Sequence, residues 1–265
     1  MNKLPNEFYR FRGWPPTGLN RTKDLLEKAA FYCAGPRDFD DIHDCQLGAF
    51  RTGSKGDLDR WLANDMAGIP ELMRKYQLSS ITDIRAVDEM DPKEVTTLRK
   101  CNSKHERRHK RILCFSSAWD NELMWTFYSD HHRGLCLCFD TRDKFFRDAQ
   151  PVQYSNSLTA LQCRRDGETS FDISLSRKST AWRFQSEWRI VLDGDQPKHV
   201  TFPKLSLKSI ILGYRFPDAQ FTELEQCVRR GGYSLDIVRV ERLYQSYKLA
   251  VRPICRIDSN YISSD

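Results

Sequence analysis

The stretch Trp182-Arg183-Phe184-Gln185-Ser186-Glu187-Trp188-Arg189-Ile190 predicts a β-strand with a polar face that can carry chemistry. Side chains alternate across a strand, so Gln185, Glu187 and Arg189 share one face and the other face is apolar. The apolar set is Phe184, Trp188, Ile190 and Leu192. Neighbours on the polar face lie about 6.5 to 7 Å apart. The plainer alternative is an ion pair between Glu187 and Arg189 on a solvated sheet face.

Composition indicates a soluble protein with a full core. With 265 residues and 40% hydrophobic content, we expect one domain spanning 1–265. No run of 18 apolar residues and no signal peptide is present, so we expect a cytoplasmic protein with no membrane partner. The nine cysteines are scattered, odd in number and without a C-x-x-C pair, which predicts free thiols. The net charge of +6 favours an anionic partner, such as a nucleotide, RNA or DNA.

Strand and helix signals along the rest of the chain predict a mixed, mainly antiparallel α+β fold with flanking helices. Further strands are predicted at 7–12, 31–33, 111–116, 135–139, 209–212, 235–240 and 248–251, and helices at about 21–30 and 218–230. Ser117 and Asp120 resemble a capping box and predict the start of another helix, which Gly134 stops. Apolar residues at helical spacing predict a helical insertion at about 57–110.

Three motifs have plainer explanations than function. The segment His105-Glu106-Arg107-Arg108-His109 matches the zinc pattern H-E-x-x-H, but its positive charge would repel a dication, so we expect no metal site. The loop 48–55 is close to a P-loop, but its lysine follows the serine and no buried strand precedes it, which indicates a turn. The basic cluster Lys100–Arg111 lacks interleaved aromatic residues, so a solvated surface helix is the alternative to a nucleic-acid contact.

Segments spread over most of the chain together resemble a bacterial family of uncharacterised domains. The family's aromatic-basic first strand is matched by residues 8–12. Its strand ending in F-S and its pattern M-W-x-x-Y-x-x-x-H-x-G are matched by Phe115, Ser116, Met124, Trp125, Tyr128, His132 and Gly134. Its closing K-x-x-x-W-x-x-E-x-E-x-R is matched by Lys178, Trp182, Glu187 and Arg189.

This chain departs from the family pattern at two places. Asp40-Asp41-Ile42 stands where Asn-Asp-Pro is usual, and Gln185 replaces the first glutamate of the E-x-E pair. Either departure could alter the choice of substrate or weaken activity.

The order of these motifs is in turn similar to that of ADP-ribosyltransferases, whose last strand carries Q-x-E or E-x-E. The resemblance implies an ADP-ribosyltransferase-like fold, NAD as substrate and no metal. Glu187 would accept the ribose 2′-hydroxyl and stabilise the positive charge that develops when the nicotinamide bond breaks, and Gln185 would orient the acceptor. The implied NAD-binding residues are Tyr9, Arg10, Arg12, Ser116, Trp125, Tyr128, His132 and Arg189. Among them, Arg10 and Arg12 would clamp the pyrophosphate.

The expected function is therefore an NAD-dependent ADP-ribosyltransferase, acting as a bacterial toxin or anti-phage effector on a protein or nucleic-acid acceptor. An inhibitor or antitoxin partner belongs to the same expectation. Two alternatives stay open from the sequence. One is a nucleic-acid-binding or nucleic-acid-processing defence protein that uses Lys100–Arg111, and the other is a non-catalytic ligand sensor.

Overall fold

The structure is a computed structural model that describes residues 3–14, 21–36, 38–45, 110–157, 170–193 and 198–258. The predicted helical insertion at 57–110, the P-loop-like turn and the H-E-x-x-H segment lie outside the described residues, apart from Lys110 at the insertion's end. Of the basic cluster Lys100–Arg111, only its last two residues are described.

Strands and helices alternate irregularly along the described chain. The strands are β1 Glu7–Arg12, β2 Ala30–Tyr32, β3 Lys110–Ser116, β4 Leu135–Asp140, β5 Gln150–Pro151, β6 Gln153–Ser155, β7 Arg177–Ser179, β8 Glu187–Asp193, β9 His199–Thr201, β10 Leu207–Leu212, β11 Leu235–Arg242 and β12 Leu249–Ile257. The α-helices are α1 Arg21–Lys28, α2 Glu122–Tyr128, α3 Ser170–Leu175 and α4 Phe221–Arg230. Short 3-10 helices cover Lys144–Phe146, Thr180–Gln185, Lys204–Ser206 and Asp218–Gln220. None of these helices is long and apolar enough to cross a membrane.

Within the described residues, eight strands form one sheet in the order β12-β11-β10-β4-β1-β3-β8-β5. Its neighbours are antiparallel except β10 and β11, which run parallel on either side of α4. Two-stranded pairs β2-β9 and β6-β7 lie beside it. The prediction of a mixed α+β fold with mainly antiparallel strands is confirmed.

The two faces of the sheet bury different clusters, because side chains alternate along each strand. On one face, Phe8, Leu137 and Ile210 belong to a large core that includes buried residues of α1 and α4. On the other face, residues of β1 and β4 pack with Met124 and Trp125 of α2. Burial of these apolar faces, at about 25 cal/mol per Å², is the main force that holds helices to sheet.

The sheet divides between β1 and β3. All six residues of β1 pair with β4, but β1 meets β3 at one register pair only, Tyr9 with Ser116. Near the start of β3, Ala34 pairs with this strand in place of β1: the Ala34 N–H donates to the Ile112 carbonyl at 3.0 Å, and the Ile112 N–H donates to the Ala34 carbonyl at 2.8 Å. A cleft therefore opens where β1 and β3 separate.

Local predictions are wrong at residues 182–186 and at both ends of α2, which ends at Tyr128 and not at Gly134. Residues 182–186 are not strand, since a 3-10 helix runs from Thr180 to Gln185 and Ser186 adopts a left-handed conformation with φ of 44° before β8 begins. Phe184 consequently packs with α2 instead of sharing a cluster with Trp188. The cap of α2 is Asn121 and not Ser117, because the Asn121 side chain accepts from the backbone N–H groups of residues 123 and 124.

Candidate active site in the cleft between β1 and β3

The cleft has a volume of about 210 Å³. Its walls come from the end of β1, the loop at 38–44, the upper part of β3, α2 and the segment 178–187. Seven of the predicted site residues line it: Tyr9, Arg10, Arg12, Ser116, Tyr128, Gln185 and Glu187. Ligand-sized clefts with a few converging polar groups are the usual location of binding sites.

The turn before β8 positions the two proposed catalytic side chains. The Ser179 hydroxyl caps the 3-10 helix at its start, and left-handed Ser186 ends it. The Ser186 carbonyl accepts from both the N–H and the hydroxyl of Ser117, at 3.0 and 3.2 Å, which fastens the turn to the end of β3. Gln185 and Glu187 are both buried next to the same ammonium group, that of Lys178.

Glu187 belongs to a buried network of four charged side chains. Arg189 Nε donates to Glu187 Oε1 at 2.7 Å, and both Nη atoms of Arg189 donate to the carboxylate of Asp44. Lys178 Nζ lies 3.0 Å from Glu187 Oε2 and 3.2 Å from Asp44 Oδ2. Glu187 is 6% exposed and Arg189 1% exposed, so the expected ion pair exists but is buried instead of solvated.

Charge balance within the network keeps all four groups ionised. Burial alone would raise the pKa of Glu187, but the charges of Arg189 and Lys178 outweigh burial and lower it. The pKa of Asp44 is lowered because hydrogen bonding and charge from Arg189 likewise exceed the effect of burial. Burial would lower the pKa of Lys178, yet Glu187 and Asp44 raise it overall. Two negative and two positive charges sum to zero, which is how a protein interior tolerates them.

Further hydrogen bonds complete the setting of the proposed catalytic pair. Gln185 Oε1 accepts from Lys178 at 2.7 Å, and its Nε2 donates to the Tyr128 hydroxyl at 2.5 Å. These contacts fix which end of the amide faces which neighbour. The backbone N–H of Glu187 donates to the Tyr154 hydroxyl at 2.9 Å. The two Glu187 oxygens accept from Arg189 and Lys178, one each, and burial, together with a hydrogen bond to the same carboxylate, raises the pKa of the Cys114 thiol.

The wall from β1 carries two arginines with unused donors. Arg10 Cζ lies 4.9 Å from the ring centre of Phe31 and 5.6 Å from that of Phe115, and Arg10 Nη2 donates weakly to the Tyr32 carbonyl at 3.4 Å. Arg10 Nη1 and Arg12 Nε are buried, and neither has a hydrogen-bond partner among the described residues. An unpaired buried donor is costly, so this wall favours an acceptor supplied from outside.

The pKa values of these arginines indicate the same preference. Burial lowers the pKa of Arg10 to about 10. Burial, with repulsion from Arg10 and Arg21, lowers the pKa of Arg12 well below its usual value. A bound anion would favour the charged form of both groups.

Three predicted site residues lie away from the lining of the cleft. Trp125 is fully buried, packs edge-on against Phe11 and donates its Nε1 to the Trp119 carbonyl at 2.7 Å. His132 stacks on Trp125 with ring centres 6.0 Å apart, and burial lowers its pKa. Arg189 lies behind Glu187 and Asp44, both of which line the cleft and accept hydrogen bonds from it.

Tyr9 and Ser116 line the cleft with hydroxyl groups that are already in use. The Tyr9 hydroxyl donates to Glu7 Oε2 at 2.5 Å. Ser116 Oγ donates to the Ala118 carbonyl at 2.8 Å and accepts from the Ala118 N–H at 3.1 Å. Ser116 thus closes the turn after β3, where the strands begin to separate.

Sequence reasoning missed Asp44 and Tyr154, and it gave Lys178 no role. Nothing in the sequence separates Asp44 from the neighbouring acids Asp38, Asp40 and Asp41, because its partner Arg189 is 145 residues away. Lys178 had a signal, since it is the lysine of the family pattern that closes with Glu187 and Arg189. Within the described ranges, no three His, Cys, Asp or Glu side chains converge as metal ligands would.

Comparisons of this chain with known protein families, with curated proteins and with solved structures find no significant match. The two family resemblances described from the sequence therefore stay predictions. The geometry of the cleft is the basis for assigning a function.

Proposed function

We propose that this chain is an NAD-dependent ADP-ribosyltransferase-like enzyme. One observation carries the proposal: a single cleft is lined by an ionised, buried Glu187 and by Arg10 and Arg12, each with a buried donor that no described residue accepts from. A ligand that satisfies both walls has an anionic group at one end and, at the other, a hydroxyl group or a developing positive charge. NAD combines a pyrophosphate with a ribose that carries the cationic nicotinamide.

Glu187 is the proposed catalytic residue. When the bond from ribose to nicotinamide breaks, its electron pair leaves with nicotinamide and positive charge develops on the ribose. A fixed carboxylate stabilises such charge without having to reorganise. Arg189 and Lys178 keep Glu187 ionised and immobile, although their own charges partly offset this stabilisation. We assign both cations as positioning residues.

The other cleft residues take binding and orienting roles. Arg10 and Arg12 would hold the pyrophosphate through charge-assisted hydrogen bonds. Gln185 would orient the acceptor, since Lys178 and Tyr128 fix its amide. For stacking on nicotinamide we choose Tyr128 over Trp125, because Tyr128 reaches the cleft and Trp125 is enclosed by its own neighbours.

The experiment combines NAD turnover with NAD binding. Purified protein is incubated with NAD and with cell protein or nucleic acid as acceptor, and nicotinamide release and label transfer are measured. Glu187→Gln should lower turnover by about 10² to 10³-fold, the range typical for loss of one preorganised electrostatic group. Arg12→Gln should weaken NAD binding, measured as a smaller NAD-induced rise in Tm. Glu241→Gln is the matched control, because it breaks a surface ion pair with Arg252.

Absence of nicotinamide release with every acceptor, together with no effect of NAD on Tm, would refute the proposal. Unchanged turnover in a folded Glu187→Gln protein would refute the assignment of Glu187. Far-ultraviolet circular dichroism of each variant distinguishes loss of activity from loss of fold.

A further inference from the structure

The loop that joins β11 to β12 presents aromatic rings to solvent. Tyr244 and Tyr247 are 90% and 93% exposed, and Tyr214 from the end of β10 lies beside this loop at 43% exposure. The loop is held by hydrogen bonds from the Ser246 N–H to the Leu243 carbonyl and from the Lys248 N–H to the Ser246 hydroxyl. Together with Tyr214, this loop lines an open groove of about 840 Å³. Burial of these rings against a binding partner would be favourable, and no packing within the described chain buries them.

Positive charge surrounds the same rings. Arg242 lies over Tyr214, with Cζ 5.1 Å from the ring centre, and Lys248 and Arg215 are exposed nearby. The local acids are already engaged elsewhere: Glu241 pairs with Arg252 at 2.9 Å, and Asp218 pairs with Arg239 at 2.6 Å. Within the described residues, no carboxylate lies within ion-pair distance of Arg215, Arg242 or Lys248. Among the residues that the structure describes, Arg215, Arg242 and Lys248 therefore have no local counter-charge.

The position of this loop relative to the cleft follows from strand register. Arg12 is opposite Leu135, Leu135 is opposite Leu212, and Leu212 is opposite Arg239. β1, β10 and β11 run in the same direction, so Arg12 and Arg242 both lie at the carboxyl ends of their strands, on the same side of the sheet's mid-line. Three strand spacings separate β1 from β11, which amounts to about 14 Å. An extended ligand that lies across these strand ends can contact both the loop and the Arg12 end of the cleft.

We propose that the surface formed by Tyr214, Arg242, Tyr244, Tyr247 and Lys248 binds single-stranded nucleic acid. Exposed aromatic rings next to cations are the arrangement that such ligands use, because bases stack on rings and phosphates bind cations. A protein partner would also use tyrosine and arginine, but it would need carboxylates of its own opposite Arg242 and Lys248. Phosphates bring that charge at every nucleotide. This inference goes beyond the proposed enzyme and does not depend on it.

Binding is tested with the full chain and a fluorescently labelled 20-nucleotide single strand, by anisotropy across a series of salt concentrations and without NAD. Tyr244→Ala with Tyr247→Ala should lower affinity at least about tenfold, as expected from loss of base stacking, with the salt dependence unchanged. Arg242→Gln with Lys248→Gln should reduce the slope of log affinity against log salt by about 1.4, since each phosphate contact to a single strand contributes about 0.7.

Matched controls keep the result specific to this surface. Lys28→Gln with Arg142→Gln removes two exposed cations elsewhere and gives the same net charge, and Phe127→Ala removes another exposed ring. These variants should bind like the wild type. Tight binding that none of the loop changes alters would overturn the proposal, as would equal affinity for a duplex of the same sequence. No binding at low salt, together with self-association that Tyr244→Ala abolishes, would assign the surface to a protein interface and also overturn it.

Discussion

Both Nη atoms of Arg189 donate hydrogen bonds to the carboxylate of Asp44, at 2.8 and 2.7 Å, and its Nε donates one to Glu187 at 2.7 Å. One guanidinium therefore connects the loop at 38–45 with the start of β8. The Nη1 atom of Arg189 also donates to the Leu175 carbonyl, at 2.8 Å. Since all of these groups are buried, the orientation of the proposed catalytic carboxylate depends on a residue far away in the sequence.

Asp44→Asn should destabilise the protein by about 3 to 5 kcal/mol, because it leaves the buried network with one positive charge that is not balanced. Urea unfolding followed by tryptophan fluorescence measures the change. Asp236→Asn is the matched control, since Asp236 pairs with Arg256 at 3.0 Å on the surface and the change there should be below about 1 kcal/mol. Equal losses in the two variants would contradict a structural role for the Asp44 carboxylate.

Stability should depend on acidic pH through the same network. The pKa values of Glu187 and Asp44 are lowered on folding, so their contribution is complete above their unfolded values of about 4 and is lost as pH falls through the folded values. The pKa of Lys178 is raised, so its contribution is lost only as pH rises above about 10. The contribution of this network to stability should therefore be constant between about pH 5 and pH 10.

Glu187→Gln tests the acid side of that plateau. The free-energy difference between wild type and Glu187→Gln should be constant near neutral pH and should shrink below about pH 4, where Glu187 takes up a proton in the unfolded chain before it does so in the native protein. Other groups with lowered pKa values, such as Asp140 and Glu7, titrate in both proteins and cancel in the difference. A difference that stays constant down to pH 2 would show that folding does not lower the pKa of Glu187.

The regular elements of this fold could be predicted from sequence because their signals are local. The alternation of charged and aromatic residues predicts β1 with the bounds it has in the structure. Gly134 and the apolar run that follows it predict β4. Residues 182–186 also look like alternating strand, but their conformation depends on tertiary contacts. Ser117 bonds the Ser186 carbonyl, and Lys178 and Tyr128 engage Gln185, so a turn that brings those groups together prevails over local β preference.

The candidate site could be predicted only in part for a similar reason. Glu187, Gln185 and Arg12 stood out because polar side chains interrupt aromatic strands. The burial of Glu187 and the role of Asp44 depend on pairing over long sequence distances, which no spacing rule reveals. Trp125 and His132 looked like ligand-binding groups because of their type, yet they stack on each other as part of the packing that supports β1.

Tyr154→Phe should destabilise the protein by about 1 to 3 kcal/mol, because the buried N–H of Glu187 loses the hydroxyl that accepts from it. The substitution keeps the ring and its packing, so a cavity makes no contribution. Tyr32→Phe is the control: the Tyr32 hydroxyl donates to Asp38 at 3.2 Å in an exposed position, and its loss should change little. Hydrogen exchange at the Glu187 amide should accelerate in Tyr154→Phe and stay unchanged in Tyr32→Phe.

Gly134→Ala should be among the most damaging small changes in the chain. A Cβ at residue 134 would lie 2.1 Å from the Arg12 carbonyl oxygen and 3.0 Å from the Arg12 carbonyl carbon, and backbone cannot move aside as a side chain can. Overpacking of this kind costs about 1 to 3 kcal/mol or more. If the protein adapts by displacing the end of β1, Arg12 moves with it, and NAD should raise the Tm of the variant less than that of wild type. Gly13→Ala, one residue further along, adds a Cβ whose nearest neighbour is 3.9 Å away and should leave both stability and the NAD response unchanged. Equal behaviour of the two alanine variants would contradict the close approach of the turn at residue 134 to β1.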